Sequence, residues 1–216
     1  MKYELAIFDM DGTILDTIED LVQAVNFALS ECGFEKRTTD EVTRFLGNGA
    51  RRLIERSVPT GTDKDLTDKV QEIYNEYYAS NCGNLTKPYD GIPEVIAELR
   101  NKGIKTAVVS NKPDYGVQTL CEQFFDGWFD YVSGAKDGIR VKPFPDMVEK
   151  VLDVLGTDRG KTVYVGDSEV DVETARNSGI RCISVDWGFR SRETLIEAGA
   201  QTIVSDADTL LRELTE

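Results

Sequence analysis

The stretch Leu5-Ala6-Ile7-Phe8-Asp9-Met10-Asp11-Gly12-Thr13 decides the fold. Four apolar residues with no polar interruption read as a strand buried on both faces, the pattern of a parallel sheet. The run ends in two aspartates two positions apart, and Gly12-Thr13 then marks a tight turn. Ligands in open parallel sheets gather at the carboxyl ends of the strands. Asp9 and Asp11 therefore stand where chemistry is expected.

Working outward, short apolar runs recur at 106–110 (TAVVS), 130–134 (DYVSG), 162–166 (TVYVG), 182–186 (CISVD) and 202–205 (TIVS). Helical spacing separates them. Ile92, Val95, Ile96 and Leu99 form one stripe, and Val117, Leu120, Cys121 and Phe124 another. Val148, Val151, Leu152 and Leu155 form a third, with Gly156 as its stop. The alternation predicts an α/β, Rossmann-like doubly wound parallel sheet. One interval breaks it: from about Asp16 to Pro88 only helical patterns occur. Ile18, Leu21, Val22, Val25 and Leu29 open that interval, and Thr38-Thr39-Asp40-Glu41 is a capping box starting its second helix. The expected division is an α/β core of residues 1–15 and 88–216 with an inserted all-helical cap at 16–87.

Composition narrows the chemistry. The chain has 216 residues, enough that roughly 70–75% of its unfolded surface can be buried without a staple. The net charge is −14, which disfavours nucleic acid and anionic membrane as partners. There is no histidine, so every mechanism built on imidazole is excluded. Cys32, Cys82, Cys121 and Cys182 are widely spaced and form no CxxC pair; reduced thiols and a cytoplasmic location are expected. No apolar stretch reaches membrane-spanning length, and acids as early as Glu4 and Asp9 argue against a signal peptide.

The other strand ends add to the first. Ser110-Asn111 closes the second run, Asp167 follows the run at 162–166, and Asp171 opens the next helix. Lys142 precedes the helix that starts near Pro145. Asp9, Asp11 and Asp167 repel one another unless a cation sits among them, and hard oxygen ligands suit Mg²⁺. The same ion lets an acidic pocket accept phosphate. A carboxylate and a phosphate dianion about 4 Å apart repel by about 8 kcal/mol at an effective dielectric of about 20.

DMDGT at 9–13, SN at 110–111, KP at 142–143 and GDSEVD at 166–171, in that order, resemble the haloacid dehalogenase-type phosphatases with a small α-helical cap. The resemblance covers essentially the whole chain. It implies Asp9 as the nucleophile of an aspartyl-phosphate and Asp11 as the acid and base. It implies Mg²⁺ held by Asp9, the main-chain carbonyl of Asp11, and Asp167, with Asp171 orienting the metal's waters. Ser110, Asn111 and Lys142 would bind the phosphoryl group. The cap would open and close on hinges near Leu15–Asp16 and Lys87–Gly91. Within the cap, 45–58 (FLGNGARRLIERSV) is similar to the specificity segment of phosphoglycolate phosphatases, as is the tail 187–200 (WGFRSRETLIEAGA) to bacterial members of that branch. That implies Asn48, Gly49, Arg51 and Arg52 as substrate contacts and 2-phosphoglycolate, a small phosphorylated metabolite, as the substrate. A pyrophosphatase or nucleotide phosphatase fits the same motifs. A β-phosphoglucomutase-like phosphotransferase is disfavoured, because its cap histidine is missing. A non-catalytic phosphoacceptor is disfavoured by Asp11, which would hydrolyse its own signal.

Overall fold

The computed structural model describes residues 2–216; residue 1, at the start of the expected core segment, lies outside them. The chain enters through β1 (Leu5–Phe8) and, after a tight turn, the two-residue β2 (Leu15–Asp16). Four helices follow: α1 (Ile18–Glu31), α2 (Thr39–Phe45), α3 (Gly49–Ser57) and α4 (Lys64–Asn81). A second two-residue strand, β3 (Lys87–Pro88), brings the chain back by pairing antiparallel with β2. Alternation then resumes with α5 (Ile92–Asn101), β4 (Lys105–Pro113), α6 (Asp114–Phe125), β5 (Tyr131–Ala135) and α7 (Asp146–Leu155). It finishes with β6 (Thr162–Gly166), α8 (Glu169–Ser178), β7 (Arg181–Val185), α9 (Arg192–Glu197), β8 (Ile203–Val204) and α10 (Ala207–Thr215).

The large sheet is parallel throughout, in the order β5-β4-β1-β6-β7-β8. All four residues of β1 are fully buried. Ala6 and Phe8 face a layer containing α5, α6 and α10, while Leu5 and Ile7 face one containing α7 and α8. Successive side chains of a strand point to opposite faces, so a central strand covered twice must be apolar at every position. Each such large side chain contributes about 1.5–3 kcal/mol on burial. The chain leaves β1 toward β4 and β5, then jumps back to β6 on the other side. This reversal opens a crevice at the carboxyl ends of β1, β4 and β6.

The helices between 18 and 81 have their own apolar cluster, which includes Leu29, Val42, Ile54, Val70 and Tyr78. The capping box forms as expected: Glu41 N–H donates to Thr38 Oγ1, and Thr38 N–H donates to the Glu41 carboxylate. Strand structure in this interval was not expected, yet β2 and β3 are present. A two-residue ribbon is too short to leave a periodic signal. It marks the neck where both linkers cross, and Asp20 pins it by accepting from the backbone N–H groups of Gly83, Leu85 and Thr86.

Candidate active site

The end of β1 is held open by backbone geometry. Asp9 N–H donates to Val165 of β6, and the Met10 carbonyl accepts from residues 13, 14 and 15, folding Asp11-Gly12 into a turn over the strand end. Gly12 has φ 84°, and a Cβ there would stand 2.4 Å from Asp167 Oδ2. Gly188, on the loop after β7, approaches as closely: a Cβ on it would meet the Gly12 carbonyl at 2.3 Å. Only glycine lets these two backbones close around the Asp167 carboxylate.

Asp9, Asp167 and Asp171 converge there, each offering one carboxylate oxygen within 4.8 Å of the others. Lys142 is the ammonium among them, 2.9 Å from Asp9 Oδ1 and 2.8 Å from Asp171 Oδ1, with its side chain 2% exposed. Asp9 Oδ1 also accepts the Met10 N–H, and no hydrogen bond to Asp9 Oδ2 occurs among the described residues. Asp167 is tied by the Thr13 hydroxyl at 3.0 Å and the Phe189 N–H at 2.8 Å. Asp171 closes a capping box on α8 through Ser168, so it caps its helix and faces Lys142 at once.

Three buried carboxylates against one ammonium leave two negative charges in excess. Burial, together with the charges of Asp171 and Asp11 and against the pull of Lys142, pushes Asp9 up to about 7. Burial and the charges of Asp171 and Asp9 hold Asp167 well above the carboxylate range. Burial pulls on the Lys142 ammonium in the opposite direction, but Asp171 and Asp9 more than offset it and keep the lysine charged. A divalent cation would balance this set, and an all-oxygen donor group suits Mg²⁺. The residues present fit that ion.

Asp11 sits apart from the triad. Its Oδ1 accepts from Lys112 Nζ and from Thr17 Oγ1, both at 2.7 Å. No hydrogen bond to Oδ2 occurs among the described residues. Lys112 is buried, and its Nζ lies 4.7 Å from the centre of the Tyr78 ring of α4. Ser110 is buried on the cavity wall, its hydroxyl accepting the Lys112 N–H. Asn111 also lines the cavity. Its side-chain amide donates to the carbonyls of Lys142 and Gly47 and accepts the Lys142 N–H, so it braces the lysine loop and touches the cap.

The helices of 18–81, expected as a cap, contribute Leu21, Leu46, Gly47, Gly49, Ala50, Leu53 and Tyr74 to the cavity. Here the structure corrects the expectation. Arg51 and Arg52 do not line the cavity. Arg51 pairs with Glu55 and Asp68 on the outer face of the cap, and Arg52 pairs with Glu55 while 66% exposed. Leu53 and Ile54 are buried, and that phase of a 3.6-residue helix turns 51 and 52 outward. The Asn48 side chain accepts from Arg56 and is also outside the lining, whereas Gly49 is in it. Lys112, Arg190, Ser168 and Phe189 line the cavity although sequence reasoning assigned them no role. Lys112 follows Ser110 by two on the same strand, a spacing that returns a side chain to the same face.

A family model of the haloacid dehalogenase-like hydrolases matches residues 6–185. The chain belongs to that family. It is 34% identical over 188 residues to the phosphoglycolate phosphatase of Aquifex aeolicus, covering 85% of this chain and 84% of that one. It is 30% identical to the phosphoglycolate phosphatase of Haemophilus influenzae over 97% of both chains. A crystal structure of a provisionally named phosphoglycolate phosphatase from Lactobacillus delbrueckii subsp. bulgaricus superposes with a TM-score of 0.94, at 41% identity and 99% coverage of both chains. With these relatives and this site, the chain is a phosphoric monoester hydrolase.

Proposed function

We propose that the chain hydrolyses a phosphomonoester of a small anionic metabolite, 2-phosphoglycolate, with Mg²⁺ and through a phosphorylated Asp9. The observation that carries this reading is the buried triad of Asp9, Asp167 and Asp171 around Lys142, beside an independently held Asp11. Asp9, Asp167 and the main-chain carbonyl of Asp11 would hold the ion, with Asp171 supporting them. When bound, the ion supplies the positive charge that lets a phosphate dianion lie against carboxylates.

The residues of the chain do the rest. An Asp9 oxygen attacks phosphorus, and the bond from phosphorus to the leaving oxygen breaks. Asp11, steadied through Oδ1, delivers a proton from Oδ2 to that leaving oxygen. It then removes a proton from the water that splits the acyl phosphate, returning Asp9 and releasing phosphate. Lys142 and the Ser110 hydroxyl stabilise the transferring oxygens. The second anionic group of the substrate finds the Lys112 ammonium and the start of α3, where no side chain caps the helix and Gly49 faces the cavity.

Residues 16–87 are read as a cap that excludes water from a catalytic core formed by the rest. The cavity lies between cap and core, with a charged wall on one side and an apolar wall on the other, an arrangement that suits a small anionic metabolite. Four unpaired cysteines support a cytoplasmic setting. No described helix is long and apolar enough to cross a membrane. The test is phosphate release from a panel of 2-phosphoglycolate, pyrophosphate, nucleoside monophosphates and p-nitrophenyl phosphate, with and without Mg²⁺. The highest kcat/KM for 2-phosphoglycolate and dependence on the ion are expected; a preference for pyrophosphate or a nucleotide would replace the substrate assignment.

A further inference from the structure

The loop after β7 touches both halves of the molecule within four residues. Trp187 Nε1 donates to the Thr13 carbonyl at 3.1 Å, and the Phe189 N–H donates to Asp167 Oδ2 at 2.8 Å. The Phe189 side chain, although anchored in the core, packs into the apolar cluster of the cap. Arg190 then reaches across. Its guanidinium donates to the carbonyls of Thr43 at 3.1 Å and Leu46 at 2.7 Å, and its Nε is fixed to Glu169 of α8 at 2.8 Å.

Thr43 and Leu46 lie at the carboxyl end of α2, where the helix dipole is negative and the Thr43 carbonyl accepts the Leu46 N–H only at 3.4 Å. A cation forked onto two such carbonyls holds that end in one orientation, as an ammonium could not. The segment held is the one that carries Leu46, Gly47 and Gly49 over the cavity. Every donor bond that places Arg190 goes to cap backbone or to Glu169.

We infer that Phe189 and Arg190 form a clasp that docks the cap on the core, with Arg190 a positioning residue for the cap wall of the active site. Because the neighbouring backbone amide of Phe189 binds Asp167, the clasp ties cap docking to the loop that surrounds the carboxylate triad. The inference rests on the phosphatase activity and not on the identity of the substrate.

The test uses the full-length protein, R190A, R190K and F189A. Amide hydrogen exchange is followed in the cap segment 43–53 and in β1, β4 and β6, alongside kinetics with 2-phosphoglycolate and p-nitrophenyl phosphate. In R190A, exchange in 43–53 is expected to speed up about tenfold with the core strands unchanged. KM for 2-phosphoglycolate should rise about tenfold with kcat changed less, while the aryl phosphate, which has no second anionic group, shifts less than threefold. R190K keeps the charge without the fork and should fall between R190A and wild type; F189A should loosen the same segment. Unchanged cap exchange in R190A and F189A would overturn the clasp, as would equal loosening of cap and core. If the wild-type enzyme does not turn over 2-phosphoglycolate, the substrate assignment fails, while the exchange result still decides the clasp.

Discussion

Two surfaces meet at the cavity, and they are made of different materials. The core side presents Asp9, Asp11, Ser110, Lys112, Lys142 and Asp167, each fixed by hydrogen bonds or ion pairs. The cap side presents aliphatic groups, one tyrosine and glycine backbone, with no charged side chain among the described residues. The difference teaches a division of labour. On the proposed function, the core side holds the charge and the helices of 18–81 supply the low-dielectric cover under which that charge acts strongly. The charged cap residues that look like ligands in the sequence are spent on the outer surface of the cap instead.

The sharpest way to break this comparison is to remove charge from the core side. Asp9→Asn should lower kcat by more than about 10⁴-fold with circular dichroism unchanged. Retained turnover would put the chemistry elsewhere. Asp11→Asn comes next, with an expected loss of about 10²–10⁴-fold. Its decisive readout is phosphorylated enzyme trapped on acid quench with a good leaving group, since breakdown then lacks its base.

Metal removal sharpens the comparison without mutation. Folding raises the Asp9 carboxyl from the usual range to about 7, so in the absence of divalent ion the native state holds the extra proton. That contribution is fully present below about pH 4 and is lost as pH rises through 7. In EDTA the melting temperature should therefore carry a declining component between pH 5 and 8. Mg²⁺ should raise the melting temperature more at pH 8 than at pH 5, and a Mg²⁺ shift independent of pH would argue that the triad does not bind the ion. The smallest effect is expected on the cap exterior. Arg51→Ala and Arg52→Ala should change kcat/KM for 2-phosphoglycolate by less than about threefold, because exposed pairs of this kind contribute little. A large rise in KM would restore them as substrate contacts.

The core side was legible for a definite reason. In a parallel sheet the position after each apolar run is where that strand delivers its side chain, so Asp9, Ser110 and Asp167 could be nominated from one-dimensional order. Asp171 was legible as the acid that opens the next helix, and the family resemblance placed it beside the metal site. The cap was less legible. Arg51 and Arg52 drew attention as adjacent cations, yet the phase of Leu53 and Ile54 had already assigned them to the outer face. The pairings of Arg190 and Lys112 gave no local signal. Their partners are 144 to 147 and 101 positions away, distances that no periodicity reports.

The sequence by itself determined that a doubly buried parallel sheet forms, that helices interrupt it after β1, and that acids cap its strand ends. Those outcomes follow from local period and burial, which act over a few residues. Tertiary structure alone decided which cation meets which carboxylate, that the Asn111 side chain braces the Lys142 loop, and that the helices of 18–81 offer backbone and apolar groups to the cavity. Such pairings depend on where separate elements come to rest, and a charge on a helix has no assigned partner until its face has been chosen by packing.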